Sequence, residues 1–321
     1  MIRTPLCDLL RIELPIALGG MGGGHTSPAM VSAVANAGGI GALGFLNYSP
    51  EQVSETFNKV RGLTNQPFAA NFIISLINED AFERALSEKP EIFAFAWARQ
   101  DQDLKPYFDK AHDVGAKVTF MAASVPEALR GVEAGADVII AQGSEGGGHV
   151  GWMATLTLVP MVVDALKDIG DVPVMAAGGI ADGRGLAAAI ALGAQGALMG
   201  TRFLATEESP LHPNFKQAIL DSDGHDTVLT EIIDLTTAQV WPGAMSRAQR
   251  NRFIERWTGR EWEIRARQSE IFEGVGAARE AGNIDNTPLS FGQDAGLIHD
   301  IPNSADLLQR MAEEASLILK V

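Results

Sequence analysis

The sequence predicts an α/β fold, a TIM (β/α)8 barrel with a small helical inserted domain. Eight short apolar runs alternate with helical segments over the first 200 residues. Several runs are apolar along their whole length, as expected for parallel strands covered on both faces. Eight such units in a row favour a closed barrel, and an open doubly wound sheet is the alternative.

Each predicted strand is followed by a segment with helix signals. The predicted strands are Leu14–Leu18, Gly39–Leu43, Phe68–Ile74, Ile92–Trp97, Lys117–Met121, Asp137–Ala141, Pro173–Ala176 and Gly196–Met199. Three of the helices have predicted N-caps, which are Ser27 before Pro28–Asn36, Ser124 before Pro126–Glu133, and Asp182 before Gly185–Leu192. Serine or aspartate followed by proline or glycine is typical of a helix start, and a glycine ends each helix.

The sequence changes character after Thr206. Residues 207–282 show no clear strand and many charges, and Arg247–Arg267 carries seven arginines interleaved with apolar residues. This pattern is typical of a helix with a solvated basic face. We therefore interpret 207–282 as a helical insertion that forms a substrate lid, and 1–206 with 283–321 as the barrel. Ser304–Leu319 has its apolar residues near one face and is predicted to be the last barrel helix.

The composition limits the classes of molecule that the protein is expected to bind. The formal net charge of −15 would repel nucleic acid and an anionic membrane, although helix N-termini can still bind a phosphorylated cofactor. The single cysteine, Cys7, is expected to be structural and suits a reducing cytosol. The sequence shows neither a signal-peptide pattern nor a long apolar run, so we expect a cytoplasmic protein. The oligomeric state stays open, a homodimer included.

Candidate site residues follow the predicted strands, because TIM-barrel sites form at the carboxyl ends of strands. Gly19 to His25, after the first strand, contains five glycines that let the backbone approach a flat ligand. His149 lies in a glycine-rich segment after the sixth strand and is a candidate for acid–base or hydrogen-bond chemistry. The alternative is a structural histidine. Asn71, which ends the third strand, could bind a ligand or cap a turn.

Two further segments predict a phosphate site. Gly178–Gly185 follows the seventh strand and Gly200–Arg202 the eighth. Loops rich in backbone N–H groups at these two places form the common phosphate site of this fold, although tight turns alone would have the same composition. The other histidines lack partners at metal-ligand spacing, so no metal site is expected.

Four motifs resemble the nitronate monooxygenase family, formerly called 2-nitropropane dioxygenases. They are PIALGGMGGGHTSPAMVSAVANAGGIGALG, AQGSEGGGHVG, AAGGIADGRGLAAAIALGAQGALMGTRFLAT and GQDAGLI. The resemblance covers nearly the whole chain and is weaker over 207–282. Flavin-dependent enoyl-acyl-carrier-protein reductases and NADH:quinone reductases share the G-G-H loop and the phosphate loops.

The resemblance implies an enzyme with FMN across the barrel mouth. The cofactor contacts it implies are Gly20 and Met21 at the isoalloxazine ring, Asn71 and Gln142 as hydrogen-bond partners near the ring, and Gly178, Gly179, Gly200 and Thr201 at the phosphate. It implies that His149 is the active-site histidine and places Gln293 near the cofactor. The chain departs from some relatives at Met121, where they have a lysine, and at Trp152-Met153, where they have a carboxylate.

The activity implied by the resemblance is oxidation of alkyl nitronates by FMN and O2 to carbonyl compounds and nitrite. An imidazole N–H of His149 would then stabilise the nitronate anion. One alternative is an NAD(P)H-dependent FMN reductase of quinones or enoyl thioesters. A second is a non-redox lyase or isomerase on a phosphate-binding barrel, which the scarcity of charges at the strand ends disfavours.

Overall fold

The computed structural model describes residues 2–170 and 172–320. Its strands are β1 (Ile16–Leu18), β2 (Gly41–Gly44), β3 (Phe68–Ile73), β4 (Ile92–Ala96), β5 (Lys117–Ala122), β6 (Val138–Gln142), β7 (Gly148–Val150), β8 (Val174–Ala177), β9 (Gly196–Met199), β10 (Thr227–Thr230) and β11 (Met245–Gln249). Its α-helices are α1 (Pro5–Leu10), α2 (Pro28–Asn36), α3 (Pro50–Arg61), α4 (Glu79–Glu88), α5 (Lys105–Asp113), α6 (Val125–Glu133), α7 (Thr155–Lys167), α8 (Gly183–Ala191), α9 (Thr201–Leu204), α10 (Pro213–Asp221), α11 (Ile232–Thr237), α12 (Arg252–Trp257), α13 (Glu261–Ala266), α14 (Gln268–Glu280) and α15 (Ser304–Leu319). Short 3-10 helices cover Ile74–Leu76 and Gln293–Leu297.

Eight parallel strands form the barrel, in the order β1-β9-β8-β6-β5-β4-β3-β2. The first and last strands of this order meet through a parallel bridge between Ala17 and Ile40. The N–H of Leu18 donates to the carbonyl oxygen of Ile40 at 2.8 Å, and the N–H of Ile40 donates to that of Ile16 at 3.0 Å. The closed barrel predicted from the sequence is therefore confirmed, and each predicted strand overlaps an observed one.

The predicted helix starts are also confirmed. The Ser27 side chain accepts a hydrogen bond from the N–H of Met30, and Ser124 accepts one from Glu127. Asp182 accepts two, from the first residues of α8. These caps satisfy N–H groups that have no partner inside the helix, which fixes where each helix begins.

The barrel interior is filled by small and medium apolar side chains, among them Ala42, Ala69 and Ala94. Helix α1 packs its apolar residues into the same cluster, and Cys7 is fully buried there. A second and larger apolar cluster lies between the strands and the outer helices. Helix α1 thus fills the amino-terminal end of the barrel, and a cavity lies toward the carboxyl ends of the strands.

The expectation that 207–282 contains no strand is wrong. Strands β10 and β11 pair antiparallel with each other, and β11 pairs antiparallel with β7, which lies in the glycine-rich loop after β6. Arg247, predicted to lie on a solvated helix, is instead buried in β11, where its guanidinium donates to the carbonyl oxygen of Ser144 and to the Thr227 hydroxyl. These strands are short and carry few apolar residues, so they lack the alternation that marks a half-buried strand.

The rest of this segment is helical, as predicted. Helices α11 to α14 surround a small apolar core that includes Ile232, Phe253, Trp257 and Ile271. The arginines from Arg252 to Arg267 are exposed. Within residues 2–170 and 172–320, no helix has the length and apolar content needed to cross a membrane.

Candidate active site

A cavity of about 340 Å³ opens at the carboxyl ends of the barrel strands. All nine site residues proposed from the sequence line it, namely Gly20, Met21, Asn71, Gln142, His149, Gly178, Gly179, Gly200 and Thr201. They come from five different strand ends and from β7, so only the closed barrel brings them together.

The loop after β1 packs tightly against strand β3. Gly20 lies so close to Asn71 that a Cβ at position 20 would collide with the Asn71 side chain. Asn71 is itself fixed, because its amide Nδ2 donates to the carbonyl oxygen of Ala94 at 3.1 Å. This packing leaves Met21 at the cavity wall, where its sulfur lies beside Gly200.

Gln142 supplies an unsatisfied polar group. Its Oε1 is buried and accepts no hydrogen bond from the described residues. Buried polar atoms normally have partners, because losing water without replacement costs about 1 to 3 kcal/mol. An amide oxygen left open at the end of β6, on the cavity wall, is therefore suited to a ligand that carries a hydrogen-bond donor.

The loops after β8 and β9 offer backbone N–H groups. Gly178 and Gly179 both have positive φ, +92° and +76°, which favours glycine and lets the chain turn beside the loop after β6. The N–H groups of Gly179 and Gly200 donate to no backbone carbonyl of the described residues. Free N–H groups directed by tight turns form an anion site, so this part of the cavity is suited to a phosphate.

Arg202, which follows these loops, does not add to the anion site. It is 2% exposed and its guanidinium donates to the carbonyl oxygens of Ala205 and Asp300 and to the Asp300 carboxylate. Its charge is therefore neutralised within the fold.

His149 is held by three residues of the segment 207–282. Its Nε2 lies 2.6 Å from Oδ1 of Asp234 on α11, and the two side chains are 14% and 13% exposed. Its ring stacks on Trp241, with a centroid distance of 3.6 Å and an interplanar angle of 10°. Its backbone pairs with Ser246 of β11. The imidazole is therefore fixed from three directions.

The contact with Asp234 decides which ring nitrogen of His149 carries hydrogen. A carboxylate can only accept hydrogen bonds, so Nε2–H donates to it. In the neutral ring Nδ1 is then a hydrogen-bond acceptor and a base, and it makes no hydrogen bond to the described residues. In the imidazolium, Nδ1 becomes a donor and the nearby carboxylate stabilises the positive charge.

Comparison with known proteins gives the family. The family model described as nitronate monooxygenase matches residues 3–84 and 78–314. The chain belongs to this family. It is accordingly an oxidoreductase, and the resemblance noted in the sequence is confirmed.

The individual relatives differ in their names. The chain is 33% identical to the (3aS,4S,5R,7aS)-5-hydroxy-7a-methyl-1-oxo-octahydro-1H-indene-4-carboxyl-CoA dehydrogenase of Mycobacterium tuberculosis, over 98% of this chain and 96% of that protein. It is 30% identical to a probable nitronate monooxygenase of Staphylococcus aureus (strain JH9), over 92% of each. Among solved structures, FabK from Thermotoga maritima superimposes with a TM-score of 0.87 and 34% identity, over 100% of this chain and 98% of that one.

Three cavity residues of the segment 207–282 were not predicted from the sequence. Asp234, Trp241 and Arg279 all line the cavity and all belong to the segment 207–282. Their signal in the sequence is weak, because each is a single polar or aromatic residue in a stretch without a motif. Asp234 lies 85 residues after His149, so their contact depends entirely on the fold.

Arg279 brings a positive charge to the cavity. It makes no hydrogen bond or ion pair with the described residues, and burial lowers its pKa. It lies beside the glycine loop after β1, close to His25. Burial, with the neighbouring charge of Arg279, lowers the pKa of His25, whose Nδ1–H donates to the carbonyl oxygen of Gly22 at 2.6 Å. The cavity thus holds a cation without a carboxylate partner.

One expectation about the cavity wall differs from the structure. Gln293 is exposed, and the neighbouring Asp294 lines the cavity instead. Trp152, where some relatives have a carboxylate, is 69% exposed and is not among the residues that line the cavity. The aromatic part of the wall comes from Trp97, which directly follows β4, and from Trp241 packed edge-on against it. Met121 lines the cavity as expected.

Proposed function

We propose that this protein is an FMN-dependent monooxygenase that oxidises alkyl nitronates with O2 to carbonyl compounds and nitrite. The observation that carries the proposal is the His149–Asp234 pair, held flat against Trp241 at the mouth of the cavity. The non-redox alternative loses support, because the family is one of oxidoreductases.

The residues that would hold FMN fit its chemical groups. The unsatisfied Oε1 of Gln142 suits an N–H of the isoalloxazine ring, and the free N–H groups of Gly179 and Gly200 suit the phosphate. Gly20 and Met21 line the same cavity and would contact the ring. The chemistry that FMN supplies when bound is acceptance of electrons from the substrate and their transfer to O2.

The chain's own part in the reaction is to position and stabilise the anion. A nitronate carries its negative charge on the two nitro oxygens. Protonated His149 would donate Nδ1–H to one of them while Nε2–H stays on Asp234, so the carboxylate stabilises the imidazolium. In its neutral form the same Nδ1 could take a proton from a nitroalkane carbon and generate the nitronate in place.

Two further features of the cavity favour an anionic, mainly apolar substrate. Arg279 provides a positive charge without a carboxylate partner, in a chain whose formal net charge is −15. Trp97 and Trp241 provide an aromatic wall for an alkyl chain. Two carboxyl groups are among the described residues that line the cavity. Asp234 is paired with His149, and burial raises the pKa of Asp294 to about 7.

The test is nitrite release from propyl nitronate in air by FMN-loaded protein without nicotinamide. We expect fast nitrite formation by the unaltered protein, and at least about a 100-fold lower turnover for His149→Ala at unchanged FMN content. His149→Asn, which keeps a polar group of similar size, is the matched control for a packing effect. Absence of nitrite from a folded, flavin-loaded protein would refute the proposal, and equal loss of turnover and of FMN would refute the catalytic role of His149.

The second candidate is an NAD(P)H-dependent FMN reductase acting on an enoyl thioester or a quinone. The identity of 33% to a protein named as a carboxyl-CoA dehydrogenase favours a thioester as substrate. This candidate predicts rapid loss of flavin absorbance when NADH or NADPH is added without oxygen. The nitronate proposal predicts no such loss on the time scale of turnover, so one anaerobic experiment separates the two.

A further inference from the structure

Asp294 is a buried carboxyl at the edge of the cavity. It is 6% exposed and lines the cavity together with Gly200 and Thr201, the residues proposed to hold the phosphate. Its Oδ1 is fully buried and accepts no hydrogen bond from the part of the chain that the structure describes. Gly292 leaves room for the carboxyl, because a Cβ at that position would collide with Oδ1 of Asp294.

The charges around Asp294 do not compensate a carboxylate. Burial raises the pKa of Asp294 to about 7, against the opposing effects of its own backbone N–H, the Thr201 hydroxyl and the charge of Arg202. Glu145, from the loop after β6, raises that pKa further. Arg202 contributes little, because it is already bound to Asp300.

Asp294 lies on the 3-10 helix Gln293–Leu297, and helix α10 packs on that helix through apolar residues. The charged side chains of α10 have other partners. Lys216 donates to the carbonyl oxygens of Thr206 and Glu207, and Asp221 accepts from Gln217. No cation of the described residues therefore forms an ion pair with Asp294.

We propose that Asp294 is a proton-carrying ligand of the cofactor phosphate, whose protonated carboxyl donates its O–H to a phosphate oxygen. The inference rests on the proposed FMN site. A dianionic phosphate and an ionised carboxylate would repel each other in this buried place, whereas a neutral carboxylic acid can act as a hydrogen-bond donor. FMN binding above neutral pH is therefore coupled to the uptake of one proton by Asp294, and the affinity for FMN falls as pH rises.

The experiment is titration of the cofactor-free protein with FMN, followed by flavin fluorescence, between pH 7 and pH 9. The second pKa of a phosphate monoester is about 6, so the phosphate is a dianion throughout this range. We expect Kd to rise by up to about 50-fold from pH 7 to pH 9, close to tenfold per unit once Asp294 is ionised. Riboflavin, which has the same ring and no phosphate, is expected to bind without this dependence.

Asp294→Asn is the matched variant, because it keeps the shape and an N–H donor but cannot titrate. Its Kd for FMN is expected to be level over the same range. Should this variant fail to fold, calorimetry of the unaltered protein at pH 8.5 in two buffers of different ionisation enthalpy measures the proton directly, with about one proton taken up per FMN.

The outcomes separate the inference from the proposed function. A level Kd in the unaltered protein, an unchanged slope in Asp294→Asn, the same slope with riboflavin, or no proton uptake would each overturn the role of Asp294 while leaving the FMN site intact. Failure of both FMN and riboflavin to bind at every pH would overturn the FMN site itself.

Discussion

The raised pKa of Asp294 also predicts that the free energy of unfolding of the cofactor-free protein depends on pH. Its pKa is raised from 3.8 to about 7 on folding, so the folded state binds the proton more tightly than the unfolded state. The stability that this group contributes is fully present below pH 4, falls as pH rises through the window from about 4 to 7, and is lost above it. A shift of roughly 3 units corresponds to about 4 kcal/mol in the free energy of unfolding, and more than half of this change lies between pH 5 and 8.

The assay compares urea unfolding of the unaltered protein and Asp294→Asn at pH 5, 6, 7 and 8, followed by tryptophan fluorescence. Other titrating groups contribute equally to both proteins, so their effect cancels in the difference. We expect the variant to gain about 2 to 3 kcal/mol relative to the unaltered protein between pH 5 and pH 8. Parallel curves for the two proteins would refute the reasoning, since they would mean that Asp294 titrates normally in the folded state.

Three further predictions concern the cavity. Asp234→Asn keeps an acceptor near His149 but removes the charge, so kcat should fall about fivefold with little change in KM, because charge-assisted hydrogen bonds are worth roughly 1 kcal/mol more than neutral ones. An unchanged kcat in stopped-flow nitronate turnover would contradict this. Gly20→Ala should lower the ratio of bound flavin to protein, because the new Cβ collides with Asn71. The control is Gly276→Ala, whose new Cβ meets nothing within 4 Å, and this variant should bind FMN normally. Arg279→Gln should raise KM several-fold for an anionic nitronate and leave KM for the neutral nitroalkane nearly unchanged; equal effects on both substrates would show that Arg279 does not select charge.

The barrel could be predicted from the sequence because its signals are local. Each strand is a short apolar run, and the caps at Ser27, Ser124 and Asp182 are single residues whose effect depends on the next three positions. Strand ends were less certain, since the first strand was predicted from Leu14 but begins at Ile16. Apolar residues that flank a strand have the same composition as the strand itself, so composition does not fix its end.

The sheet formed by β7, β10 and β11 could not be predicted because its signals are not local. Strand β7 lies far from β10 and β11 in the chain, and it contains a glycine and a histidine rather than an apolar run. The arginines of 247–267 suggested one solvated helix, yet Arg247 is buried because its guanidinium reaches hydrogen-bond partners on two other segments. Residue identity alone does not distinguish a buried arginine from an exposed one.

The same division holds for the candidate site. The residues at strand ends, such as Asn71 and Gln142, could be placed at the cavity because every strand of a TIM barrel ends at the same face. Asp234, Trp241 and Arg279 could not, because their positions depend on how 207–282 folds across that face.

His149 lies on β7, which forms a three-stranded sheet with β10 and β11 of the segment 207–282. Through β7 the histidine pairs with β11, and through its ring it contacts Asp234 and Trp241. A change in this segment therefore alters two properties together, namely the wall of the cavity and the orientation of His149. The glycines proposed to contact the cofactor, in contrast, lie after β1, β8 and β9, outside this segment. We infer that the chemistry of a family member is set largely by this segment. Exchanging residues 227–249 with those of a relative that acts on a different substrate should therefore change the choice of substrate. The affinity for FMN should stay unchanged. Loss of FMN binding in such an exchange would show that the two parts are not separable.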